Sequence, residues 1–327
     1  MTAVLLTLLV TPAKGQTIAD FYRGKTVNVY IGVGVGGEYD IQARLVARHI
    51  GKHIPGHPTV VPQNMTGAGG LRMINYLYNI APKDGANIGM IANAFPAMQA
   101  VGIAGVQFDA ARMQWLGAIA PGVETMAIWH ATGVKNIDDA RQREVVAGAS
   151  ARGAITFIYP QMMNEFLGTK FKIVTGYPGG NQINLAMERG EVEARNNTWS
   201  SWKATKADWL KDKKITVIAQ AGPRAPDLDA PSVEDAARTP QERQLIELVV
   251  SGTQLGRPFA TNEAPMDRVA ALRGAFAATM KDPEFLAEAR SLGFEVDPVL
   301  GEKMQKIVEK VLATPKDVAV KAKGLME

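Results

Sequence analysis

The sequence predicts an α/β protein of two lobes with a ligand cleft between them, and three observations carry that expectation. Short apolar strands alternate with helical segments along most of the chain, the pattern that layers helices on mainly parallel sheets. Three glycine-rich turns each stand where a strand hands over to a helix: Gly32-Val33-Gly34-Val35-Gly36-Gly37, Gly67-Ala68-Gly69-Gly70 and Tyr177-Pro178-Gly179-Gly180. From Pro265 onward the chain is mostly helical with no sheet of its own, so it is expected to pack back on the first group. The two lobes are expected at 16–122 with 253–327 and at 123–252, with hinge crossings near 120–125 and 249–256.

The elements follow in order. A strand at Thr26 to Ile31 leads through the first turn to a helix from Tyr39 to about Ile54, with Ile41, Leu45, Val46 and Ile50 on one face. Pro55-Gly56-His57-Pro58 breaks the chain before a strand at Thr59 to Pro62. The second turn opens a helix from Gly70 to Ile80, and the turn Pro82-Lys83-Asp84-Gly85 precedes a strand at Asn87 to Ile91. The second group reads strand Glu124–Trp129, helix Ile137–Arg141, strand Glu144–Ala147, helix Gly153–Leu167, strand Lys172–Thr175 and helix Asn181–Arg189. A strand at Ile215 to Ala219 and a Pro-rich loop, Pro223 to Pro231, close it. The tail gives helices at Met266–Met280, Pro283–Leu292 and Glu302–Leu312.

At 327 residues, 46% of them apolar, the chain is long enough for two cored domains. No later stretch reaches the ~18 continuous apolar residues of a membrane span. The net charge of +4 is too small and too spread out for a nucleic-acid binder. At the start, an apolar run from Ala3 to Val10 is followed by Ala13 and Gly15 at the −3 and −1 places for cleavage before Gln16. Residues 1–15 therefore read as a secretory signal, although no Lys or Arg precedes the run. The absence of cysteine excludes a disulfide scaffold, thiolate metal sites and a cysteine nucleophile, and it suits an exported, periplasmic protein.

Glycine lets backbone approach a ligand, and a helix N-terminus offers unpaired N–H groups and partial positive charge. Such turns suit an anion. The first turn matches G-x-G-x-x-G, but no Asp or Glu stands between Asp40 and Asp84, where a dinucleotide fold needs one for the ribose. No Gly-Lys-Ser/Thr closes any turn, so a P-loop is excluded as well. Arg44 and Lys52 read as a solvated basic face. His49 and His53, at i and i+4, have zinc-like spacing without an accompanying Glu and read as surface histidines, so no metal is expected. His130 has no evident Ser or Asp partner, and a hydrolytic triad is unsupported. A fourth strand-to-helix turn, Gly148 to Gly153, offers either a ligand contact from Ser150, with Arg152 as counter-charge, or a plain helix cap. Arg195-Asn196-Asn197-Thr198-Trp199 puts polar residues where a buried strand is expected. Either it is an exposed loop or its side chains face a polar cleft, with Trp199 and Trp202 as wall or core.

In these motifs the chain resembles the Bug-type extracytoplasmic solute receptors of tripartite tricarboxylate transporters. The resemblance rests on Val29 through Gly36-Gly37 and Asp40, on Asn64-Met65-Thr66-Gly67-Ala68-Gly69-Gly70, and on Ala81-Pro82-Lys83-Asp84-Gly85. It continues in Gly176-Tyr177-Pro178-Gly179-Gly180 with Gly190-Glu191-Val192-Glu193, and in the loop Pro226 to Ser232 followed by Asp235. It implies a type II periplasmic-binding-protein fold closing on a small carboxylate, no cofactor, no catalytic role, a monomer, and membrane permease subunits as partners. A receptor-fold sensor without transport, or an NAD(P)-dependent enzyme resting on the first turn alone, are the alternatives.

Carried over, one ligand carboxylate is held at Gly36, Gly37 and Tyr39 and at Gly179, Gly180 and Asn181. Gly67, Ala68 and Gly69 line the first lobe, Ser150, Ala151 and Arg152 face the ligand from the second, and Arg195 and Asn197 are added from the polar segment. The chain departs from the family's pattern where Gly179 replaces a Lys, where Arg195 and Asn196 replace an apolar pair, and where Gly34-Val35 replaces a small apolar pair. Arg195 is expected to matter only for a ligand with a second acidic group.

Overall fold

The computed structural model describes residues 16–327, and the expected signal segment at 1–15 lies outside them. The chain opens with α1 (Ile18–Tyr22), capped by the Thr17 hydroxyl, and β1 (Thr26–Ile31). It continues through α2 (Glu38–Ile50), β2 (Thr59–Asn64), α3 (Leu71–Asn79), β3 (Asn87–Met90), α4 (Phe95–Ala100) and β4 (Gln114–Ala118). A second run follows: β5 (Glu124–Trp129), α5 (Ile137–Gln142), β6 (Val145–Ala149), α6 (Ile155–Leu167), β7 (Phe171–Thr175) and α7 (Gly180–Glu188). That run ends with β8 (Ala194–Thr198), α8 (Trp199–Thr205), α9 (Ala207–Lys211), β9 (Ile215–Ala221), α10 (Pro240–Val250) and α11 (Gly252–Leu255). The return comprises β10 (Phe259–Thr261), α12 (Met266–Thr279), α13 (Pro283–Ser291), β11 (Val299–Leu300), α14 (Gly301–Leu312) and α15 (Lys316–Met326).

The strands form two sheets, ordered β11-β4-β10-β3-β1-β2 and β7-β6-β8-β5-β9. Both are mixed rather than mainly parallel. The β1–β2, β1–β3, β6–β7 and β6–β8 pairs are parallel, whereas β4, β5, β9, β10 and β11 enter antiparallel. β4, β5, β9 and β10 flank the passages between sheets, where the chain is not carried back by a βαβ crossover, and β11 is an edge strand added by the tail. Helices cover both faces of each sheet: α2, α12 and α13 lie over one face of the first, α3, α4 and α14 over the other. An apolar cluster runs from Met73, Phe95 and Trp115 of the first group to Ile158, Met162 and Val249 of the second.

The tail packs on the first sheet through α12, β11 and α14, and α15 lies against α6 and α10 beside the second. Two connections between the sheets run side by side, with the Gly122 N–H donating to the Thr253 carbonyl at 2.8 Å. A β-carbon at Gly256 would sit 1.9 Å from the Ala120 oxygen, and its φ of +62° is left-handed, so only glycine fits there.

The histidines in and just after α2 are not plain surface groups. His49 meets Glu288 at 2.6 Å and His53 meets Asp282 at 2.8 Å, which ties the end of α2 to α13. Lys52 bridges Asp282 and Glu284 at the same seam. Arg44 likewise is no solvated cation, since it donates to the buried Asp40 at 2.9 Å and to Asn64 at 2.6 Å. These partners come from 4 to over 200 residues away, which is why the local pattern did not reveal them.

Candidate ligand-binding site

The first and third glycine turns meet. The Gly34 N–H donates to the Pro178 carbonyl at 3.0 Å, and a β-carbon added at Gly37 would stand 3.7 Å from the Gly180 nitrogen. The second and fourth turns meet in the same way, since a β-carbon at Gly69 would lie 3.2 Å from that of Ala151 and 3.4 Å from that of Ala154. Each pair takes one turn from the first sheet's elements and one from the second's. Enclosed between them is a cavity of about 70 Å³. Val33, Ala92, Ala94, Phe95, Ile155 and Ile183 give it apolar walls, and Arg195 and Asn197 give it a polar one.

The two facing helix N-termini are not equivalent. At α2 the Gly36 N–H is already taken by the Asp40 carboxylate at 3.0 Å, and Glu38 also stands in the first turn. Burial alone would raise the Asp40 pKa, but hydrogen bonds from Arg44, Gly36 and Asn64 outweigh it and hold it below the ordinary value. Asp40 and Asn64 thereby fasten the first turn, Asn64 also donating to the Val33 carbonyl at 2.9 Å. At α7 there is no acidic residue in the first turn, and Gly179 supplies no side-chain cap. Its first N–H groups and partial positive charge remain for an anion.

Arg195 lies beside that helix end. It sits on β8, the middle strand of the second sheet, and is 5% exposed. Its Nη1 donates to the Gly180 carbonyl and to Asn184 Oδ1, both at 2.6 Å. Nη2 donates to Asn197 Oδ1 at 2.9 Å and Nε to the Asn196 carbonyl at 3.2 Å. All these acceptors are neutral. Of the five N–H donors of a guanidinium, one on Nη2 stays unused. Burial pulls the Arg195 pKa down to about 9, with the more distant Glu124 and Glu38 opposing it. Asn197, two residues on and so on the same face of the strand, has a buried Nδ2 with no partner among the described residues. The Trp202 ring packs 5.2 Å from the guanidinium carbon and is fully buried, so it belongs to core rather than to the cavity wall.

A second arginine, Arg257, borders the cavity, but its charge is already matched. It pairs with Glu38 at 2.9 Å and with Glu124 at 3.3 Å. Burial works against its charge, yet Glu38, Tyr39 and Glu124 together hold the guanidinium above its ordinary value. Glu38 also accepts from the hydroxyls of Thr198 and Ser200, the latter at 2.6 Å, so one carboxylate joins α2, β8, α8 and the segment after α11. Glu124 is fully buried, and burial raises its pKa. Behind this network is a larger cavity of about 240 Å³. Its other basic groups are paired, Lys203 with Asp227 at 3.1 Å and Arg224 with Asp235 at 2.5 Å; the charges left without an ion partner among the described residues are acidic, Glu295 and Asp297, so it offers an anion no free cation.

No protein-family model and no curated sequence matches the chain. Its structure matches solved ones over nearly their whole length. The periplasmic binding protein BugD superposes with a TM-score of 0.75 at 19% identity, over 93% of this chain and 99% of that one. Rpa4515 of R. palustris with adipate gives 0.71 at 20%, over 92% and 97%. MatC of Rhodopseudomonas palustris with bound malate gives 0.70 at 17%, over 90% and 99%. The chain has the periplasmic-binding-protein fold.

Within that fold, Gly37, Tyr39, Gly69, Ser150, Gly179, Gly180, Arg195 and Asn197 come together on the cavity wall. Gly36, Gly67, Ala68, Ala151 and Asn181 stand just outside it and shape the turns; Gly36 faces the Asn181 amide, where a β-carbon would lie at 3.3 Å. Arg152 points away, donating to the Glu327 carbonyl. Ser150 is not the cap of α6, whose N-cap is Ala154; its hydroxyl meets Thr156 at 3.3 Å. The tyrosine of the first turn is not free either, since the Tyr39 hydroxyl accepts from the Asn93 N–H at 3.2 Å and its ring underlies Arg257 at 4.4 Å.

Sequence reasoning missed Phe95, Ile155, Glu38 and Arg257. Glu38 alone carried a signal, as the acid that follows the Gly-Gly pair. Arg195, expected at a second anionic subsite, instead lies against the third turn itself.

Proposed function

We propose that the chain is a periplasmic solute-binding receptor of the Bug type, which captures a small carboxylate by lobe closure and delivers it to the membrane subunits of a tripartite transporter. Lobe 123–252, with α15 docked on it, moves against the rest about the paired segments near 120 and 256. The observation that carries this reading is Arg195: a buried guanidinium without a carboxylate partner among the described residues, beside an uncapped helix N-terminus, inside a cavity closed by opposed glycine turns. A buried unpaired charge is costly. A ligand carboxylate supplies the missing partner.

The magnitudes suffice for a binder. A hydrogen bond to a charged group contributes about 1.5–3 kcal/mol and a helix N-terminus about 0.3–1 kcal/mol. Micromolar affinity needs about 8 kcal/mol, which two or three such bonds and the burial of a small apolar body approach. No catalytic group is required. The adipate and malate of the structural neighbours support the same ligand class here.

Native mass spectrometry of freshly purified protein, followed by a thermal-shift panel of carboxylates and nucleotides, tests the proposal. A retained or stabilising carboxylate is expected. Stabilisation by NAD(P) together with indifference to carboxylates would sink it.

A further inference from the structure

We infer that, if the receptor reading holds, the ligand of this cleft is a short aliphatic monocarboxylate with an apolar body of about one to three carbons, on the scale at which a ~150 Å³ cavity admits benzene. Charge, size and wall chemistry point the same way.

Among the described residues, the cavity holds one uncompensated cation. Arg195 is surrounded by neutral acceptors, whereas Arg257 is matched by Glu38 and Glu124. One ligand carboxylate neutralises Arg195. A second would find no free cation among the described residues and would approach Glu38, which lines the same cavity. The available donors also suit one carboxylate group: the unused N–H of Nη2 and the unpartnered Asn197 Nδ2 lie on one strand face, beside the first N–H groups of α7.

The volume is about 70 Å³, roughly half that of a ~150 Å³ cavity that admits benzene. Val33, Ala94, Phe95 and Ile155 present apolar surface there, while the Gly69 and Ala151 contact closes off further length. A hydrocarbon tail is accepted and a polar or charged end is not.

The test is calorimetry on protein freed of ligand by unfolding and refolding, titrated at neutral pH with acetate, propionate, butyrate, hexanoate, malate and adipate. Propionate or butyrate should bind tightest, ahead of hexanoate and both dicarboxylates by about tenfold or more, as pocket discrimination per methylene allows. Ile155→Ala, at a half-buried helix start, should shift the preference toward hexanoate by about tenfold. Arg195→Met should abolish binding of every acid while the thermal melt stays cooperative. Malate or adipate binding as tightly as propionate overturns the monocarboxylate assignment and leaves the receptor reading standing. No binding of any carboxylate by the unaltered protein overturns both. If Arg195→Met fails to fold, the chain-length shift in Ile155→Ala decides, and an unchanged preference counts against the assignment.

Discussion

Gly180→Ala separates the anion site from the fold. A β-carbon there would stand 2.5 Å from Arg195 Nη2 and 3.0 Å from Nη1. The Gly180 backbone is not in the left-handed region, so alanine meets no conformational obstacle. At the first residue of α7 it gains up to about 1 kcal/mol of helix propensity. The guanidinium must therefore retreat by about 1 Å to restore ordinary contact, and its 2.6 Å bonds to the Gly180 carbonyl and Asn184 do not survive that movement.

Each hydrogen bond involving a charged group is worth about 1.5–3 kcal/mol. A ligand that loses one such bond to a displaced Arg195 binds about ten- to a hundredfold more weakly. Calorimetry with the tightest-binding carboxylate, beside a thermal melt by circular dichroism, reads both quantities. Unchanged affinity in a fully folded Gly180→Ala protein would refute the assignment of Arg195 as the anion anchor.

Gly37→Val should abolish binding without unfolding the protein, because Gly37 has an extended backbone (φ −88°) and its side chain would fill the space before the Gly180 nitrogen; retained affinity means the turn is only structural. Arg257→Met strands Glu38 and Glu124 near one another in the interior, and breaking such a buried pair costs about 3–5 kcal/mol; a denaturant melt within error of the parent would contradict the network. Because an anion favours protonated Arg195, affinity should be flat near neutral pH and fall as pH rises through about 9. Titrations at pH 7 and pH 10 check the sign, and stronger binding at the higher pH would exclude a charged Arg195 as the anchor.

The glycine turns were legible because strand, glycine and helix follow one another locally, and the structure brings the first against the third and the second against the fourth. The polar segment from Arg195 to Thr198 was ambiguous for a physical reason. Its side chains are buried on a central strand, yet what satisfies them comes from elsewhere: Gly180, Asn184, Thr125 and Glu38. Arg257 was invisible for the same reason, since its carboxylates lie 219 and 133 residues earlier. β10 and β11 are three and two residues long, too short for a period to register. They also explain why the first sheet is mixed, because both are antiparallel additions made by the returning chain, while in the second sheet β5 pairs antiparallel with β8 and β9. The docking of α15 on α6 and α10 depends on which surface is left uncovered, a property of the assembled layers rather than of the helix.

The strand order of the two sheets has a kinetic corollary. All strands of the second sheet lie between Glu124 and Ala221, whereas the first waits for β10 at 259–261 to bridge β3 and β4 and for β11 at 299–300 to complete its edge. Pairings that span more than 140 residues carry a large loop-closure entropy and form late. In pulse-labelled hydrogen exchange during refolding, amides of β5 to β9 should gain protection before those of β4. The half that waits is the one contributing Glu38 and Arg257, so the buried charges that join the two sheets form only at the final stage of folding.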